Sequence, residues 1–259
     1  MYIAEVQIRS GFESDEVLEL IDLLTDFWRV NGQTLGREYP LFRRDDSYRL
    51  VLMIPAEDPL SAAHDIPYLT KVKLQLAEAG FDQILVTSLV EDSESDGPCS
   101  CENCSWLILY TLSGFLETCL RCCDCFRPVT LYQIPWQRTP TGELHDMISS
   151  WRTDFQACDD LQMNCQTGEK FALREMSNLD SSLSRRGRNI CDWITEGMGE
   201  PTYYYLHRYR GRSVASERRR KCPSCSGEWL LPESLHAFDF KCDRCRLLSR
   251  TAISIRWNN

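Results

Sequence analysis

Four cysteines near the end of the chain have a spacing that is typical of a metal site. They form two C-x2-C pairs, and sixteen residues separate the pairs. Two such pairs direct four sulfurs at one tetrahedral position when a β-hairpin brings their turns together. The spacing predicts a four-thiolate zinc site in a C-terminal zinc ribbon, with these ligands: Cys222, Cys225, Cys242 and Cys245.

A second group of seven cysteines lies between residues 99 and 125. The preferred ligand set repeats the C-terminal pattern, with seventeen residues between two C-x2-C pairs: Cys101, Cys104, Cys122 and Cys125. Cys119 with Cys122 is an alternative pair. Cys99 and Cys123 are then spare thiols that are open to oxidation. The two quartets together predict two structural Zn2+ ions per chain.

Cysteine use also bears on the compartment. The chain has fourteen cysteines, and its first residues do not form a secretory signal, so a cytoplasmic location is expected. No apolar run is long enough to span a bilayer, and no membrane association is expected. Cys158 falls on an apolar helical stripe and Cys191 lies beside another, so both are expected in the core, whereas Cys165 in a polar turn has no predicted role.

Catalysis is not expected. A zinc ion closed by four thiolates keeps no open position for an activated water. The zinc-deaminase pattern P-C-x-x-C fails because Glu102 stands where its second cysteine is required. The chain also has neither a Walker loop nor a G-x-G-x-x-G motif, and no small-molecule substrate is evident.

Charge divides the chain into an acidic body and a basic end. Residues 1–184 carry 14 Lys and Arg against 30 Asp and Glu, whereas residues 185–259 carry 15 against 8. The basic side chains cluster directly before the ribbon and are predicted to contact nucleic-acid phosphates: Arg208, Arg210, Arg212, Arg218, Arg219, Arg220 and Lys221. The aromatic run at 203–205 is either a base-stacking platform or a core strand.

The elements that must position these residues follow from hydrophobic periodicity. Residues 1–90 read as β-α-β-β-α-β, which predicts a ferredoxin-like α+β sandwich; its first helix is capped at Ser14 and buries Val17, Leu20, Ile21, Leu24 and Trp28. An acidic linker precedes a cysteine-rich zinc-knuckle segment at 98–136. A helical segment is predicted at 137–200, and the basic stretch with the zinc ribbon at 201–259. Strands are expected at VTLYQIPW and, as the last strand, at TAISIRW.

Several segments together resemble a known bacterial family. They run from YPLFRRDDSYRLVLMIP through CENCSWLILYT, RCCDCFRPVTLYQIP and PTYYYL to CPSC and FDFKCDRCRL, which covers most of the chain. The chain is similar in these segments to uncharacterised zinc-ribbon-containing proteins for which nucleic-acid binding has been a suggestion. The resemblance implies that the C-terminal quartet binds metal, and it also implies Cys122 and Cys125 as ligands.

Two classes of function remain. The first is a non-catalytic zinc-ribbon protein that binds nucleic acid through its basic C-terminal third. The alternative is an immunity-type inhibitor that neutralises a basic protein or toxin through its acidic body. The clustered arginines favour the first class.

Overall fold

The computed structural model describes residues 1–9, 15–36, 39–81, 83–93 and 95–256. The chain divides into two compact units. Unit 1 consists of Met1–Ser100, Leu116–Thr118 and Arg127–Trp136. Unit 2 consists of Cys101–Phe115, Cys119–Phe126 and Gln137–Asn259. None of the helices in the described residues is long and apolar enough to cross a membrane.

Unit 1 is a four-stranded antiparallel sheet with two helices. Its elements are β1 (Tyr2–Arg9), α1 (Asp15–Val30), β2 (Leu41–Arg44), β3 (Ser47–Ile54), α2 (Pro67–Glu78) and β4 (Ile84–Glu91). The strand order is β2-β3-β1-β4, and each neighbouring pair is antiparallel. The predicted β-α-β-β-α-β order is therefore confirmed.

One face of each helix in unit 1 is buried against the sheet. The five predicted core residues of α1 are all at most 9% exposed, and α2 buries Leu69, Val72 and Leu76. The chain turns after α1 at Gly32, where φ is +74°, a backbone conformation that glycine adopts at little energetic cost. The predicted cap at Ser14 lies outside the described residues.

Unit 2 combines a mixed sheet with a group of helices. Its elements begin with β5 (Leu107–Leu109), β6 (Leu120–Cys122), β7 (Arg138–Thr139), β8 (Gly142–Glu143), α3 (Leu144–Asn164), α4 (Glu169–Ser177) and α5 (Ser182–Met198). They continue with β9 (Thr202–Tyr205), α6 (Val214–Arg218), β10 (Leu230–Leu235), β11 (Phe238–Cys242), β12 (Leu247–Ser249) and α7 (Ile253–Arg256). Residues from all three segments predicted at 98–136, 137–200 and 201–259 take part in this unit.

The sheet of unit 2 joins the two cysteine-rich regions. Its order is β10-β11-β12-β9-β5-β6. The central strand β9 is parallel to both β12 and β5, whereas the outer pairs are antiparallel hairpin neighbours. One cysteine-rich region supplies the strands on one side of β9, and the other region supplies those on the other side.

The aromatic run at 203–205 is a core strand. Tyr203, Tyr204 and Tyr205 are 6%, 0% and 1% exposed, so their rings cannot form a base-stacking platform. Helix α5 packs directly on this strand at Gly187, where an added Cβ would lie 2.3 Å from Cε2 of Tyr204. Burial on both faces explains why the run shows no polar alternation.

Two predicted strands have a different structure. VTLYQIPW contains only a 3-10 turn at Leu131–Gln133. Pro128, directly before this stretch, and Pro135, within it, limit ladder pairing. In place of a last strand at TAISIRW, the short helix α7 forms. The N–H of Ile253 donates to the Arg208 carbonyl, and that of Ser254 to the Tyr209 carbonyl. Long-range backbone bonds therefore override the local β propensity.

Candidate metal centres

The four predicted C-terminal ligands come together in the structure. Every pair of sulfurs lies within 4.8 Å among Cys222, Cys225, Cys242 and Cys245. The Sγ atoms of Cys225 and Cys242 are 3.7 Å apart. Two thiolates bound tetrahedrally to one zinc ion at ~2.3 Å would be separated by ~3.8 Å. The donor set and its spacing therefore fit zinc.

A tight turn positions the first of these pairs. The N–H of Ser226 donates to the Cys222 carbonyl over 2.8 Å, and the N–H of Cys222 donates to the Gly227 carbonyl over 2.9 Å. Ser226 adopts a left-handed φ of 57°. An added Cβ at Gly227 would lie 3.4 Å from Cys225 Sγ, so glycine leaves room beside the sulfur.

The surroundings of two C-terminal thiols shift their pKa values in opposite directions. The backbone N–H of Gly227 stabilises the thiolate of Cys225 and lowers its pKa to about 7. Burial raises the pKa of Cys242 to about 12. A cation held among the four sulfurs would favour thiolate at both positions, because metal binding displaces the thiol proton.

A second four-sulfur cluster lies in the central region, and its membership differs from the predicted set. Every sulfur pair lies within 4.8 Å among Cys99, Cys101, Cys122 and Cys125. The sulfurs of Cys101 and Cys122 are 4.0 Å apart, close to the separation that a tetrahedral zinc site requires. Three predicted ligands are present, but Cys99 takes the place predicted for Cys104.

Hydrogen bonds explain why the cluster contains Cys99 and not Cys104. The N–H of Cys99 donates to the Pro128 carbonyl over 2.7 Å, which holds Cys99 beside the chain that leaves the Cys122–Cys125 turn. Ser105 follows Cys104, and its N–H and hydroxyl donate to the Asp124 carboxylate over 2.9 and 3.0 Å. The backbone after Cys104 is thus held by Asp124, and the C-x-C pair rather than the C-x2-C pair supplies the two sulfurs.

The central turn has the same backbone geometry as the C-terminal one. The N–H of Phe126 donates to the Cys122 carbonyl over 2.9 Å, and Phe126 adopts a φ of 60°. Arg246, the residue after the pair Cys242 and Cys245, is also left-handed, with a φ of 48°. Because none of the three left-handed residues is glycine, the sequence carries no signal for this shared turn.

Four of the cysteines outside the two clusters are buried. Cys123, predicted as a spare reactive thiol, is 4% exposed, and burial raises its pKa to about 12. The predicted core positions of Cys158 and Cys191 are confirmed by their burial. Cys119 is fully buried. Cys165 ends α3 with a φ of 53°, and its thiol lies 3.1 Å from the Gln162 carbonyl oxygen.

Side chains also connect the two cysteine-rich regions. The ammonium of Lys241 lies 5.0 Å from the ring centre of Trp106 and 4.8 Å from that of Tyr203. Across the same unit, His236 Nε2 lies 2.5 Å from the Cys123 carbonyl oxygen, and its ring stacks on Phe126. The turn of the C-terminal hairpin therefore contacts the central C-x2-C turn.

Several of the predicted phosphate-binding residues are engaged within the protein. Arg208 pairs with the buried Glu217 at 2.8 Å, and Arg210 pairs with Glu169 at 3.3 Å. Lys221 pairs with Glu228. These ion pairs reduce the positive charge that the segment offers to a polyanion.

Arg220 belongs to the interior. Its guanidinium lies 4.6 Å from the ring centre of Trp229 and 4.1 Å from that of Phe240, and it donates to Ser249 Oγ and to the Arg250 carbonyl. Its side chain is 15% exposed. Arg220 therefore stabilises the aromatic layer over the C-terminal cluster, and the prediction that it contacts phosphate does not fit this position.

Three other predicted residues are exposed: Arg212, Arg218 and Arg219. Within the part of the chain that the structure describes, no ion pair involves them. Arg218 ends α6, which Ser213 caps by accepting the N–H of Ser216 over 3.1 Å. The three guanidinium groups thus lie within eight residues around one short helix.

Comparisons with known proteins give a family but no activity. Three family models match, each described as a domain of unknown function: DUF8589 over residues 1–88, DUF2310 over 101–207 and DUF8594 over 211–255. These descriptions do not mention a zinc ribbon. An uncharacterized protein of Haemophilus influenzae (strain ATCC 51907 / DSM 11121 / KW20 / Rd) is 32% identical over 272 residues, which cover 100% of this chain and 99% of the relative.

Two further similarities are partial. A second uncharacterized protein of the same Haemophilus influenzae strain is 37% identical over 171 residues, covering 65% of this chain and 80% of the relative. A crystal structure from Deinococcus radiodurans, described as "a putative antibiotic biosynthesis monooxygenase", is 12% identical and covers 37% of this chain and 97% of its own. Its TM-score of 0.27 carries no argument about fold or activity.

Proposed function

The chain belongs to one family with the Haemophilus influenzae protein that it matches from end to end, and we propose that it is a non-catalytic zinc-ribbon protein that binds nucleic-acid backbone. In this proposal two structural zinc ions stabilise the sheet of unit 2. Unit 1 is a ferredoxin-like scaffold, which its strand order β2-β3-β1-β4 supports. The exposed arginines before the C-terminal ribbon supply the binding surface.

The chemistry of the donors supports a structural role for the metal. The C-terminal zinc would be held by Cys222, Cys225, Cys242 and Cys245, and the central zinc by Cys99, Cys101, Cys122 and Cys125. Four thiolates complete the coordination of Zn2+ and favour it over harder cations. Zinc would supply cross-linking of distant turns rather than an activated water.

The short strands explain why such cross-links matter. β5, β6 and β12 have three residues each. A small hairpin is marginally stable by itself in water. Cross-linking the turns at both hairpins would therefore couple metal binding to formation of the sheet.

The observation that carries the proposed binding function is the exposure of three arginines that make no ion pair with the described residues, in a segment whose other cations pair with glutamates. Arg212, Arg218 and Arg219 are exposed, whereas their neighbours pair with glutamates or pack inside. A guanidinium group donates two parallel hydrogen bonds to a phosphate, which suits backbone recognition. Such contacts position a nucleic acid without reading its bases.

A salt titration tests this proposal. A fluorescent single-stranded oligonucleotide is titrated with the protein at several salt concentrations, and the logarithm of affinity is plotted against the logarithm of salt. Three phosphate contacts predict a slope of about -2, from ~0.7 per contact on a single strand. Replacing Arg212, Arg218 and Arg219 with Gln should flatten the slope and weaken binding to every sequence alike.

A matched variant controls for the loss of charge. Arg43, Arg44 and Arg127 lie in unit 1, are exposed, and carry the same total charge, so their replacement with Gln should leave the slope unchanged. Absence of binding by the wild type at low salt, or equal binding by the two triple variants, would contradict the proposal. Either result would favour a protein partner for the acidic body instead.

A further inference from the structure

The two four-sulfur clusters differ in the exposure of their cysteines. In the central cluster Cys101 and Cys125 are exposed, and Cys122 is buried. Every cysteine of the C-terminal cluster is buried or half-buried, with Cys222 and Cys242 only 1% and 5% exposed. A reagent dissolved in water therefore reaches the central cluster more easily than the C-terminal one.

Aromatic side chains shield the C-terminal cluster. Phe240 lies two residues before Cys242 on β11, so the two side chains point to the same face of the strand. The ring of Phe240 packs against Trp229 with 5.2 Å between the ring centres, and both residues are almost completely buried. The C-terminal sulfurs thus lie beside a dry aromatic layer.

The central cluster includes an irregular segment at the surface. Residues 101–103 are all exposed and belong to neither a helix nor a strand, whereas Cys122 is the last residue of β6. The sulfurs of Cys101 and Cys122 are 4.0 Å apart, and a disulfide needs a separation of ~2.0 Å. Because Cys101 lies outside the sheet, its side chain can close this gap without breaking a strand ladder.

We propose that hydroperoxides oxidise the central cluster in preference to the C-terminal one, which forms a disulfide between Cys101 and Cys122 and releases the central zinc ion. This inference rests on the proposed occupancy of both clusters by zinc. It makes Cys101 a site of oxidative modification, because its sulfur belongs to the exposed part of the cluster and has a second thiolate beside it.

Hydrogen peroxide supplies the oxidising equivalents for this reaction. The Cys101 thiolate attacks one peroxide oxygen, so that an S–O bond forms, the O–O bond breaks and hydroxide leaves, which gives a sulfenic acid. The Cys122 thiolate then attacks the Cys101 sulfur, so that the S–S bond forms, the S–O bond breaks and a second hydroxide leaves. Two protons from solvent convert the hydroxides to water. Zinc is not oxidised or reduced, and it dissociates because only two thiolates remain for it.

Zinc release and disulfide mapping in the full chain test the proposal. Protein that holds two zinc ions is treated with hydrogen peroxide beside a chromogenic chelator, at a chelator concentration that leaves both ions bound when peroxide is absent. Free thiols are then alkylated, and peptide mass spectrometry identifies the disulfide. The expected result is fast loss of one of the two zinc ions, slow loss of the other, and a disulfide that joins Cys101 to Cys122.

Two histidine variants separate Cys101 from Cys125, which is also exposed. Three thiolates and one imidazole form a common structural zinc site, so Cys101→His and Cys125→His should each hold both ions before peroxide is added. Cys101→His removes the sulfur that peroxide attacks, and it should slow release of the central ion to the rate of the C-terminal one. Cys125→His keeps both members of the predicted disulfide and should release the central ion as fast as the wild type does.

Several results would overturn the proposal. Retention of both ions in peroxide, or their release at equal rates, would contradict the preference for the central cluster. A wild-type disulfide that leaves Cys101 free, or equal release rates for the two histidine variants, would show that Cys101 is not the sulfur that peroxide attacks. Fewer than two zinc ions before peroxide is added would contradict the proposed function itself, and this inference with it.

Discussion

The ligand set of the central metal site can be decided by two serine substitutions. Cys99 belongs to the four-sulfur cluster of the structure, whereas Cys104 belongs to the set that spacing predicts. Structural zinc binds with roughly 10–16 kcal/mol, so one of four thiolates contributes about 3 kcal/mol. Cys99→Ser should therefore weaken the central site on the order of 10² to 10³-fold, and Cys104→Ser should leave its affinity near that of the wild type.

Competition with a chromogenic chelator measures both variants. In the wild type, two zinc ions should leave the protein only at high chelator concentration. In Cys99→Ser, one of the two should leave early while the C-terminal ion is retained, because the two clusters share no ligand. Early loss from Cys104→Ser together with full retention by Cys99→Ser would refute the structural assignment and restore the set predicted from spacing.

Two further predictions concern the stability of unit 2. Gly187→Ala should destabilise the protein by about 3 kcal/mol in urea unfolding, because the new Cβ would lie 2.3 Å from Tyr204 Cε2 and 2.7 Å from Trp151 Nε1. The control variant Gly97→Ala should have little effect, because open space surrounds Gly97. Equal urea midpoints for the two variants would contradict this packing. Burial and, secondarily, Arg250 lower the pKa of His207 to about 3, below the ordinary 6.5, so its stabilising contribution is complete above pH 6.5 and is lost as pH falls. The loss should reach about 2 kcal/mol at pH 5, measured as the part of the pH dependence of unfolding that disappears in His207→Gln; an unchanged dependence would contradict it.

Local patterns in the sequence were sufficient to predict the buried face of α1 and the assembly of the C-terminal quartet. The helical stripe of α1 is buried as its periodicity predicts, and the C-terminal quartet assembles as its spacing predicts. Both signals are short-range. A helix face is set by residues three and four apart, and a C-x2-C turn directs its own two sulfurs.

Contacts between residues far apart in the sequence determine which cysteines form the central cluster, and the sequence did not predict these contacts. The choice of Cys99 over Cys104 depends on the bond from Cys99 to Pro128 and on the bonds between Ser105 and Asp124. None of these partners is marked by spacing. The four-sulfur cluster of the structure therefore contains Cys99 where spacing predicts Cys104, within the cysteine-rich region that the sequence marks.

The exposed positive charge of the basic segment also could not be predicted from the sequence alone. Counting basic residues predicts a surface of seven cations, but Glu169, which lies forty-one residues before Arg210, forms an ion pair with it. Arg220 is drawn inside by the rings of Trp229 and Phe240. A run of like charges thus overstates the exposed positive surface, and only the fold identifies the residues that remain available.

The central claim is that two four-thiolate zinc ions stabilise the sheet of unit 2. Zinc X-ray absorption spectroscopy, combined with elemental analysis of protein purified without chelator, tests it most directly. The account predicts two zinc ions per chain and a first shell of four sulfurs at ~2.3 Å around each, with no nitrogen or oxygen donor. One zinc ion or fewer per chain, or a first shell that contains nitrogen or oxygen, would contradict it.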